Sequence, residues 1–260
     1  MINEGTIWLD SARPSNQGPS ALGDDWRLKN YFLLSDVYYK GRPIVPQLMV
    51  PDSNSAYLNL SGNQQLDLSS PHAFDRYLPM QHLDAKRLCL VGPTLTVNQN
   101  IGLGIDVLKQ EQLLMDQKKV LLIDRHDANI MVAFDQEKDE YYPIQVDTEF
   151  IFDIQSNQIL GPDSEDGELF RVDFDGKREK AEFYVCKYVA RNISEALEKK
   201  LAAKHFLLFD YLTIRDIISQ LAKFREKKDH YLKISDLLAL LNSIKSNLEN
   251  SGLKTFFNQF

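Results

Sequence analysis

A short stretch in the middle of the chain decides the fold, and it reads Val120-Leu121-Leu122-Ile123-Asp124-Arg125-His126-Asp127-Ala128-Asn129-Ile130-Met131-Val132. Its first four residues are apolar and rich in strand-forming side chains, which predicts a buried strand. A polar loop follows over 124–129, and a second apolar run begins at Ile130. The pattern therefore predicts a polar loop that two buried strands hold from both sides, which is where proteins often place reactive groups.

The sequence on both sides of this loop predicts further regular elements. Apolar residues at helical spacing predict a helix over Ile101–Gln117, and the basic pair Lys118-Lys119 suits its carboxyl end. A third strand is predicted over Tyr142–Val146, after an acidic turn. Because Asp147 closes this third strand, Asp147 and the polar loop are expected at neighbouring strand ends.

The remaining patterns predict an α+β protein. Upstream, a β-hairpin is predicted over Tyr31–Val50 and a short buried strand over Leu88–Val91. Downstream, 170–174 and 182–189 are predicted to pair as another hairpin, and apolar residues recur at helical spacing over 193–248. Strands come first, then a helix, more strands and terminal helices, which is the order of an α+β fold.

Composition narrows the class of protein. The 260 residues are 43% hydrophobic and 26% charged, which is ordinary for a globular chain. No apolar run approaches the roughly 18 residues that a membrane span needs, and 1–20 lack the pattern of a secretory signal. With two cysteines and five scattered histidines, the sequence has no zinc-site spacing. We therefore expect a soluble, cytoplasmic protein with reduced thiols.

Charge is distributed unevenly along the chain. The net charge is −7, yet 177–260 contains 16 Lys/Arg against 10 Asp/Glu, which leaves 14 against 27 in 1–176. Most basic clusters are solvated helix faces, but as a set these suit an anionic membrane surface or a polyphosphate. Nucleic acid is not expected, because the chain is acidic and has no aromatic-basic motif. The clusters are Lys177-Arg178-Lys180, Lys199-Lys200-Lys204 and Arg225-Lys227-Lys228.

The polar groups at the strand ends form the set that phosphoryl transfer uses. In that reaction one carboxylate orients the attacking hydroxyl, while an amide and a second carboxylate hold Mg²⁺ against the nucleotide phosphates. Asp124, Asn129 and Asp147 supply two carboxylates and an amide. Positioning and charge neutralisation dominate such catalysis, so few residues suffice. The sequence therefore predicts a site for Mg²⁺ and ATP.

This constellation resembles the catalytic loop of phosphoinositide 3- and 4-kinases and of their protein-kinase relatives. The resemblance covers roughly 85–153, and it is nearest to divergent bacterial effector kinases, such as those of Legionella, that reduce the fold to its core. The predicted helix before the loop stands where these folds place the helix that leads into the catalytic loop. The residues that carry the resemblance are Asp124-Arg125-His126, Asn129-Ile130-Met131, Ile144-Gln145-Val146-Asp147 and Phe150-Ile151-Phe152.

The resemblance implies a reduced, atypical two-lobed protein-kinase-like fold, with a β-rich amino-terminal part and a helical carboxyl-terminal part. Residues 1–87 would form a divergent nucleotide lobe. Residues 88–260 would form the catalytic lobe, with the catalytic loop at 124–129, the metal-binding Asp147 and the terminal helices.

The resemblance also implies a role for each polar residue of the site. Asp124 would face the substrate hydroxyl, and Asn129 and Asp147 would bind Mg²⁺. His126 would help to orient the substrate or the phosphate. Arg125 would be a structural residue or an anchor for the activation segment.

The lysine that pairs with the ATP phosphates is harder to find, because no strand like Val-Ala-Ile-Lys precedes the loop. Lys29 and Lys40 are the upstream candidates for this contact. Phe183–Lys187 has the expected pattern, but Lys187 follows the loop and would require a circularly permuted order. A Gly-rich phosphate loop is also missing upstream of the catalytic loop.

We expect a Mg-ATP-dependent phosphotransferase, an atypical Ser/Thr protein kinase that acts as a bacterial effector inside a host cell. The acidic stretch 148–167 favours a protein acceptor, because phosphoinositide headgroups need basic residues. The order Asp-Arg-His favours the alternative of a phosphoinositide or inositol lipid kinase. Thr148-Glu149 stand where the family has Phe-Gly, which favours a pseudokinase or scaffold without transfer activity. The resemblance to effector kinases with host cofactors also suggests an inositol polyphosphate activator.

Overall fold

The computed structural model describes residues 26–46, 57–59, 65–67, 85–161, 177–203, 208–225 and 231–250. In these ranges the chain is a mixed α+β structure with small antiparallel sheets. The helices are α1 (Trp26–Leu34), α2 (Leu88–Val91), α3 (Val97–Gln117), α4 (Arg178–Ala203), α5 (Leu208–Ala222) and α6 (Ile234–Asn250). The strands are β1 (Tyr38–Tyr39), β2 (Arg42–Pro43), β3 (Tyr57–Asn59), β4 (Gln65–Asp67), β5 (Ala85–Arg87), β6 (Val120–Leu122), β7 (Ile130–Asp135), β8 (Glu140–Gln145), β9 (Ile151–Asp153) and β10 (Gln158–Leu160).

Two three-stranded sheets position the central loop. One sheet has the order β5-β7-β8, and Ile130 in β7 lies opposite Gln145 in β8. The other has the order β10-β9-β6, and Leu122 in β6 lies opposite Ile151 in β9. Strands β1 and β2 form one small hairpin, and β3 and β4 form another. Because β6 and β7 belong to different sheets, the loop between them crosses from one sheet to the other.

Strands β6 and β8 pack against helix α3. It begins with a capping box, in which Thr96 Oγ1 accepts a hydrogen bond from Gln99 N (3.1 Å) and Gln99 Oε1 accepts one from Thr96 N (2.8 Å). It ends at Gln117 with Lys118 as the C-cap residue, and Lys119 adopts a positive φ of 60° that turns the chain into β6. Between these ends α3 contacts β6, β8, α4 and α6.

Gly104 explains how closely α4 approaches α3. A Cβ atom at Gly104 would lie only 2.5 Å from Cδ1 of Ile193 on α4, so a side chain there would force the helices apart. Gly102, two residues earlier, has open space at the same position. Glycine is therefore required by packing at one of these two positions.

The hydrophobic core divides into two clusters around α3. The larger cluster joins α3 and β7 to the carboxyl-terminal helices α4, α5 and α6. The smaller cluster joins α1 and 37–45 to the end of α3 and to β6 and β9. Helix α1 is thereby packed close to β6, which leads into the central loop, and to its partner strand β9. In the described part of the chain, no helix has the length and apolar character that crossing a membrane requires.

Most elements near the loop are confirmed. Helix α3 begins four residues earlier than predicted, at Val97, and ends at Gln117 as predicted. Strands β6, β7 and β8 lie within one or two residues of their predicted positions, and the acidic turn separates β7 from β8. The carboxyl-terminal region is helical as expected. The α+β class is therefore correct.

Three predicted strands are wrong. The apolar run from Tyr31 belongs to helix α1, although the predicted turn at Lys40-Gly41 does form, between the short strands β1 and β2. Leu88–Val91 is helix α2, and the strand comes just before it. Residues 182–189 lie inside helix α4, while 170–174 lie outside the described residues. Short apolar runs do not distinguish a strand from one buried helix face, and tertiary packing decided these three.

The permuted assignment of Lys187 fails for the same reason. Lys187 lies in the middle of α4, with its ammonium group 5.0 Å from the centre of the Tyr184 ring. It is therefore a helical residue, and the strand that this assignment needs does not exist.

Candidate active site

Two connecting segments cross side by side between the two three-stranded sheets. The first, 123–129, leads from β6 to β7, and the second, 146–150, leads from β8 back to β9. Because β6 pairs with β9 and β7 pairs with β8, the segments are held together at both ends. Val146 N donates a hydrogen bond to Asn129 O at 2.9 Å, which joins the segments directly. Asp147 therefore lies one residue beyond the position opposite Asn129.

Asp124 and Asn129 are joined by their side chains. Asn129 Nδ2 donates to Asp124 Oδ2 at 3.0 Å and to the backbone oxygen of Asp124 at 3.4 Å. Asn129 is buried, whereas the Asp124 side chain is 23% exposed. Because the nitrogen of the Asn129 amide faces Asp124, its oxygen points away from that carboxylate. Asp124 thus presents its carboxylate to solvent as an acceptor, and Asn129 holds that carboxylate in place.

His126 lies beside the Asp124 carboxylate. Its Nε2 is 3.8 Å from Asp124 Oδ2, and its Nδ1 accepts a hydrogen bond from Ala128 N at 3.2 Å. The ring centre of Tyr188 on α4 lies 6.3 Å from the imidazole centre. Burial raises the pKa of Tyr188, and the negative charge of Asp124 raises this pKa further. The Asp124 carboxylate, His126 and Tyr188 therefore share one half-exposed surface.

Asp147 is held by its own turn and by helix α1. Asp147 Oδ1 accepts a hydrogen bond from Glu149 N at 3.0 Å. From α1, Asn30 Nδ2 donates to Thr148 O at 2.7 Å and to Glu149 O at 3.2 Å. The Tyr31 hydroxyl donates to Val146 O at 2.6 Å, on the other side of Asp147. The backbone is thus held by helix α1 on both sides of Asp147, at Val146 and at Thr148-Glu149.

Comparison with known proteins assigns no family to this geometry. No protein-family model matches the chain, and no curated protein matches it. What the site can do therefore follows from its own residues and contacts.

Arg125 lies beneath the loop in a buried polar network. It is fully buried, its Nε donates to Glu111 Oε1 at 2.6 Å, and its Nη1 donates to Gln145 Oε1 at 3.1 Å. Glu111 Oε2 accepts a hydrogen bond from Leu122 N at 3.0 Å. Burial raises the pKa of Glu111, and the Arg125 guanidinium opposes this shift. Of the two roles expected for Arg125, the structure supports the structural one, because the guanidinium bonds to the buried side chains of Glu111 and Gln145.

The backbone of the loop is also held from two helices. Asn192 on α4 donates from Nδ2 to Arg125 O at 2.9 Å. Cys89 N on α2 donates to Asp127 O at 3.4 Å. These bonds leave the loop little freedom to move relative to the helical part of the chain.

Four residues that support the site were given no role from the sequence, namely Asn30, Glu111, Gln145 and Asn192. Glu111 had a detectable signal, because it lies three residues after Leu108 on the apolar face of α3, where a charged residue needs a buried partner. Gln145 gave no such signal, because alternation in a strand places it opposite Ile144 and Val146, on the face expected to be solvated.

The two lysine candidates lie in different places. Lys29 is exposed on α1, one residue before Asn30, which contacts the segment after Asp147. Lys40 lies at the β1–β2 turn, with Nζ 3.0 Å from Asp106 Oδ1 and 3.7 Å from Glu140 Oε2. Glu140 is at the tip of the β7–β8 hairpin, about 17 Å of strand from the loop. The structure does not bring Lys40 to the central loop.

The described residues of the carboxyl-terminal basic clusters differ in exposure: Lys177, Arg178 and Lys199 are exposed, whereas Lys204, Lys227 and Lys228 lie outside the described residues. Lys200 is buried, and its Nζ donates to Leu95 O at 2.8 Å. Arg178 pairs with Glu182, and Arg225 lies 3.9 Å from Glu198. Lys200 is therefore not available to a polyphosphate or a membrane surface.

Proposed function

We propose that the chain is a Mg-ATP-dependent phosphotransferase that acts on a hydroxyl group, as an atypical protein kinase of reduced two-lobed fold. The observation that supports this most is the junction of the two segments. Asn129 bonds to the Asp124 carboxylate by its side chain and to Val146 by its backbone, so the backbone that carries Asp147 runs directly beside the Asp124–Asn129 pair.

The available oxygen atoms suit Mg²⁺. The Asn129 amide oxygen faces away from Asp124, and within the described part of the chain Asp147 Oδ2 accepts no hydrogen bond. The described residues contain no cluster of three or more His, Cys, Asp and Glu side chains that could cage a metal. This fits Mg²⁺, which usually takes one or two protein carboxylates and completes its shell with water and nucleotide phosphates. When bound, Mg²⁺ would neutralise charge on the transferred phosphate.

The remaining residues have roles that their contacts support. Asp124 is held by Asn129 and stays partly exposed, so it can accept a hydrogen bond from the acceptor hydroxyl and receive its proton. His126 accepts from Ala128 N through Nδ1, so in its neutral form the proton is on Nε2, beside Asp124. From there it can donate to a phosphate oxygen or to the substrate.

The placement of Lys29 favours it over Lys40 as the lysine of the ATP phosphates. Lys29 belongs to the helix that contacts the segment carrying Asp147, whereas Lys40 pairs with Asp106 and Glu140 at the far end of the hairpin. A nucleotide lobe in 1–87 is part of this proposal. An inositol polyphosphate activator at the basic clusters has less support, because Lys200 is buried.

A pseudokinase is the second candidate, and one contact favours it. Asp147 Oδ1 is already bonded to Glu149 N, in a turn built by Thr148-Glu149 where kinases have Phe-Gly. Such a turn can hold the carboxylate too firmly to adjust to a metal. A pseudokinase would bind Mg-ATP without transferring phosphate, so binding and transfer have to be measured together.

The test is transfer of labelled γ-phosphate from Mg-ATP by the full chain. Unfolded model proteins serve as Ser/Thr acceptors, and phosphatidylinositol vesicles serve as the lipid acceptor. Asp124→Asn and Asp147→Asn should each reduce transfer by at least about 100-fold, because each removes a group used in the transition state. Asp127→Asn is the matched control in the same loop, where the backbone and not the side chain bonds to Cys89.

Each outcome separates the candidates. Label in protein and not in lipid supports the protein kinase, and the reverse supports the lipid kinase. ATP binding without transfer to either acceptor supports the pseudokinase. Transfer that survives both Asp→Asn substitutions would rule out the assigned site.

A further inference from the structure

The side chain of Gln145 lies between the two segments that carry the site. Gln145 is the last residue of β8 and is 1% exposed. Its Nε2 donates to Asp124 O at 3.3 Å and to Asp147 O at 2.5 Å, and its Oε1 accepts from Arg125 Nη1 at 3.1 Å. One amide thus reaches the backbone of both acidic residues.

We propose that Gln145 is a positioning residue that sets the separation between Asp124 and Asp147. This inference rests on the proposed phosphotransfer function, and it adds how the two halves of that site are kept at a working distance. The amide has two hydrogens, and each is directed to a carbonyl on a different segment. Without them the partly buried carbonyl of Asp147 would lose this donor, and the carbonyl of Asp124 would keep only the longer bond from Asn129 Nδ2 at 3.4 Å.

The orientation of the Gln145 amide is fixed by the charges behind it. Arg125 has only donor groups, so the oxygen of the Gln145 amide must face it and the nitrogen must face the two carbonyls. Arg125 is fixed in turn by the Glu111 carboxylate, which also accepts the Leu122 backbone N–H. Both partners in this ion pair are fully buried. The pair therefore determines which end of the amide points into the site.

The hydrogen bonds from α1 hold the second segment, and they do not link the carbonyl of Asp124 to that of Asp147. Asn30 and Tyr31 bond to carbonyls of the second segment, at Val146, Thr148 and Glu149, and these bonds fix that segment to α1. Gln145 is the side chain whose hydrogen bonds join the carbonyl of Asp124 to that of Asp147.

The test variant is Gln145→Glu, and the matched control is Gln110→Glu. Glu keeps the length of the side chain and an oxygen for Arg125, but at neutral pH it removes both donors. Gln110 on α3 is also a buried glutamine, and its Nε2 donates to Pro143 O at 2.9 Å, in the same strand but away from the site. Both variants lose the backbone hydrogen bonds of a buried amide side chain, so a general loss of stability affects both.

Kinetics should separate positioning from stability. We expect Gln145→Glu to lower kcat for phosphate transfer by about 100-fold, because a displacement of about 1 Å between reacting groups has that effect. The KM for ATP should change less than about threefold, because ground-state binding is retained. If kcat of Gln145→Glu equals that of Gln110→Glu, Gln145 has no positioning role.

Hydrogen exchange of the ATP-free chain tests the same claim without activity. In Gln145→Glu the backbone amides of 125–129 and 146–149 should both exchange about tenfold faster, while in Gln110→Glu they should not. Faster exchange in only one segment, or in neither, would overturn the inference. If the wild-type chain transfers no phosphate, the proposed function fails and this exchange result alone decides the positioning role. Gln145→Met, which has the same length and no charge, serves if Gln145→Glu does not fold.

Discussion

The two ends of the β7–β8 hairpin are each held by one arginine, in opposite surroundings. At the loop end, Arg125 and its partner Glu111 are both fully buried. At the tip, Arg42 reaches Asp135 at 2.5 Å and Glu140 at 2.8 Å, and the exposed fractions of the two acidic side chains are 20% and 34%. The Arg42 side chain is 10% exposed, so one hairpin contains an ion pair fully removed from water and an ion pair whose acidic partners stay partly exposed.

The difference shows what each pair is for. Asp135 and Glu140 lie directly opposite each other in the ladder, so Arg42 relieves the repulsion between two like charges that are both partly exposed. Such pairs contribute little to stability, usually below about 1 kcal/mol. A buried pair is rarely better for stability than apolar residues of the same size, so its retention indicates a demand on geometry. At the loop end that demand is the orientation of Gln145.

The largest expected effect comes from breaking the buried pair. Arg125→Met would leave the Glu111 carboxylate and Gln145 Oε1 buried without their partner. We expect the free energy of unfolding in urea to fall by about 3–5 kcal/mol. The matched change at the tip, Arg42→Met, should cost about 1 kcal/mol, with some of that cost coming from the Tyr142 ring 4.3 Å away. Equal losses at the two ends would contradict the comparison.

A smaller effect on the free energy of unfolding is expected from replacing two glycines of α3, one near each end of the β7–β8 hairpin. Gly104 faces the cavity shared with Ile130 and Asn192 near the loop, whereas Gly102 faces the polar cleft that also contains Glu140 at the tip. Gly104→Ala should lower the free energy of unfolding by about 1–3 kcal/mol, because its Cβ would overlap Ile193. Gly102→Ala should raise it by about 0.5–1 kcal/mol, because alanine favours the helix and has room. Thermal unfolding of both variants checks this, and a stabilised Gly104→Ala would contradict the close approach of α4.

The smallest effect is a difference in pH dependence between the two ends. The hydrogen bond from Arg42 holds the pKa of Asp135 below its ordinary 3.8, so the stability from this carboxylate is present above 3.8 and is lost as the pH falls through the lowered pKa. Burial raises the pKa of Glu111 above 4.5, so its contribution is complete below 4.5 and declines as the pH rises through the raised pKa.

Urea unfolding from acid to neutral pH measures this difference. The stability gap between wild type and Asp135→Asn should widen as the pH rises to about 3.8, in line with the ordinary pKa. The gap between wild type and Glu111→Gln should narrow as the pH rises above about 4.5. If both stability gaps widened with rising pH, or both narrowed, the contrast between the buried Glu111 and the partly exposed Asp135 would be contradicted.

The sequence was sufficient to predict the helices and strands in which apolar residues recur at a regular spacing, and the polar residues at their ends. Twenty-one residues of α3 and the alternating strands around the loop have clear patterns, and the polar groups at the strand ends follow directly from them. The runs at 31–34 and 88–91 were assigned wrongly because they are short, and because the packing that makes them helical comes from distant segments. Local pattern is reliable only where it extends over several turns or strand residues.

The supporting network could not be predicted, because it depends on the crossing of two sheets. Gln145 alternates with Ile144 and Val146, which predicts an exposed side chain, yet it is buried because the segment 123–129 covers that face. Glu111 and Arg125 are 14 residues apart in the sequence, and only the topology brings them together. A single sequence shows which side chains are polar and not which buried partners they will meet.

The proposed role of Asp147 as a metal ligand is tested most directly by exchanging both the ligand and the ion. Asp147→Cys replaces an oxygen ligand with a sulfur ligand, which prefers soft ions such as Cd²⁺ or Zn²⁺ to Mg²⁺. Phosphate transfer by this variant should be lost with Mg²⁺ alone and should recover at least about tenfold when Cd²⁺ is added. Asp127→Cys is the control and should show no such recovery. Full transfer by Asp147→Cys with Mg²⁺ alone, or no recovery with Cd²⁺, would contradict a metal site at Asp147.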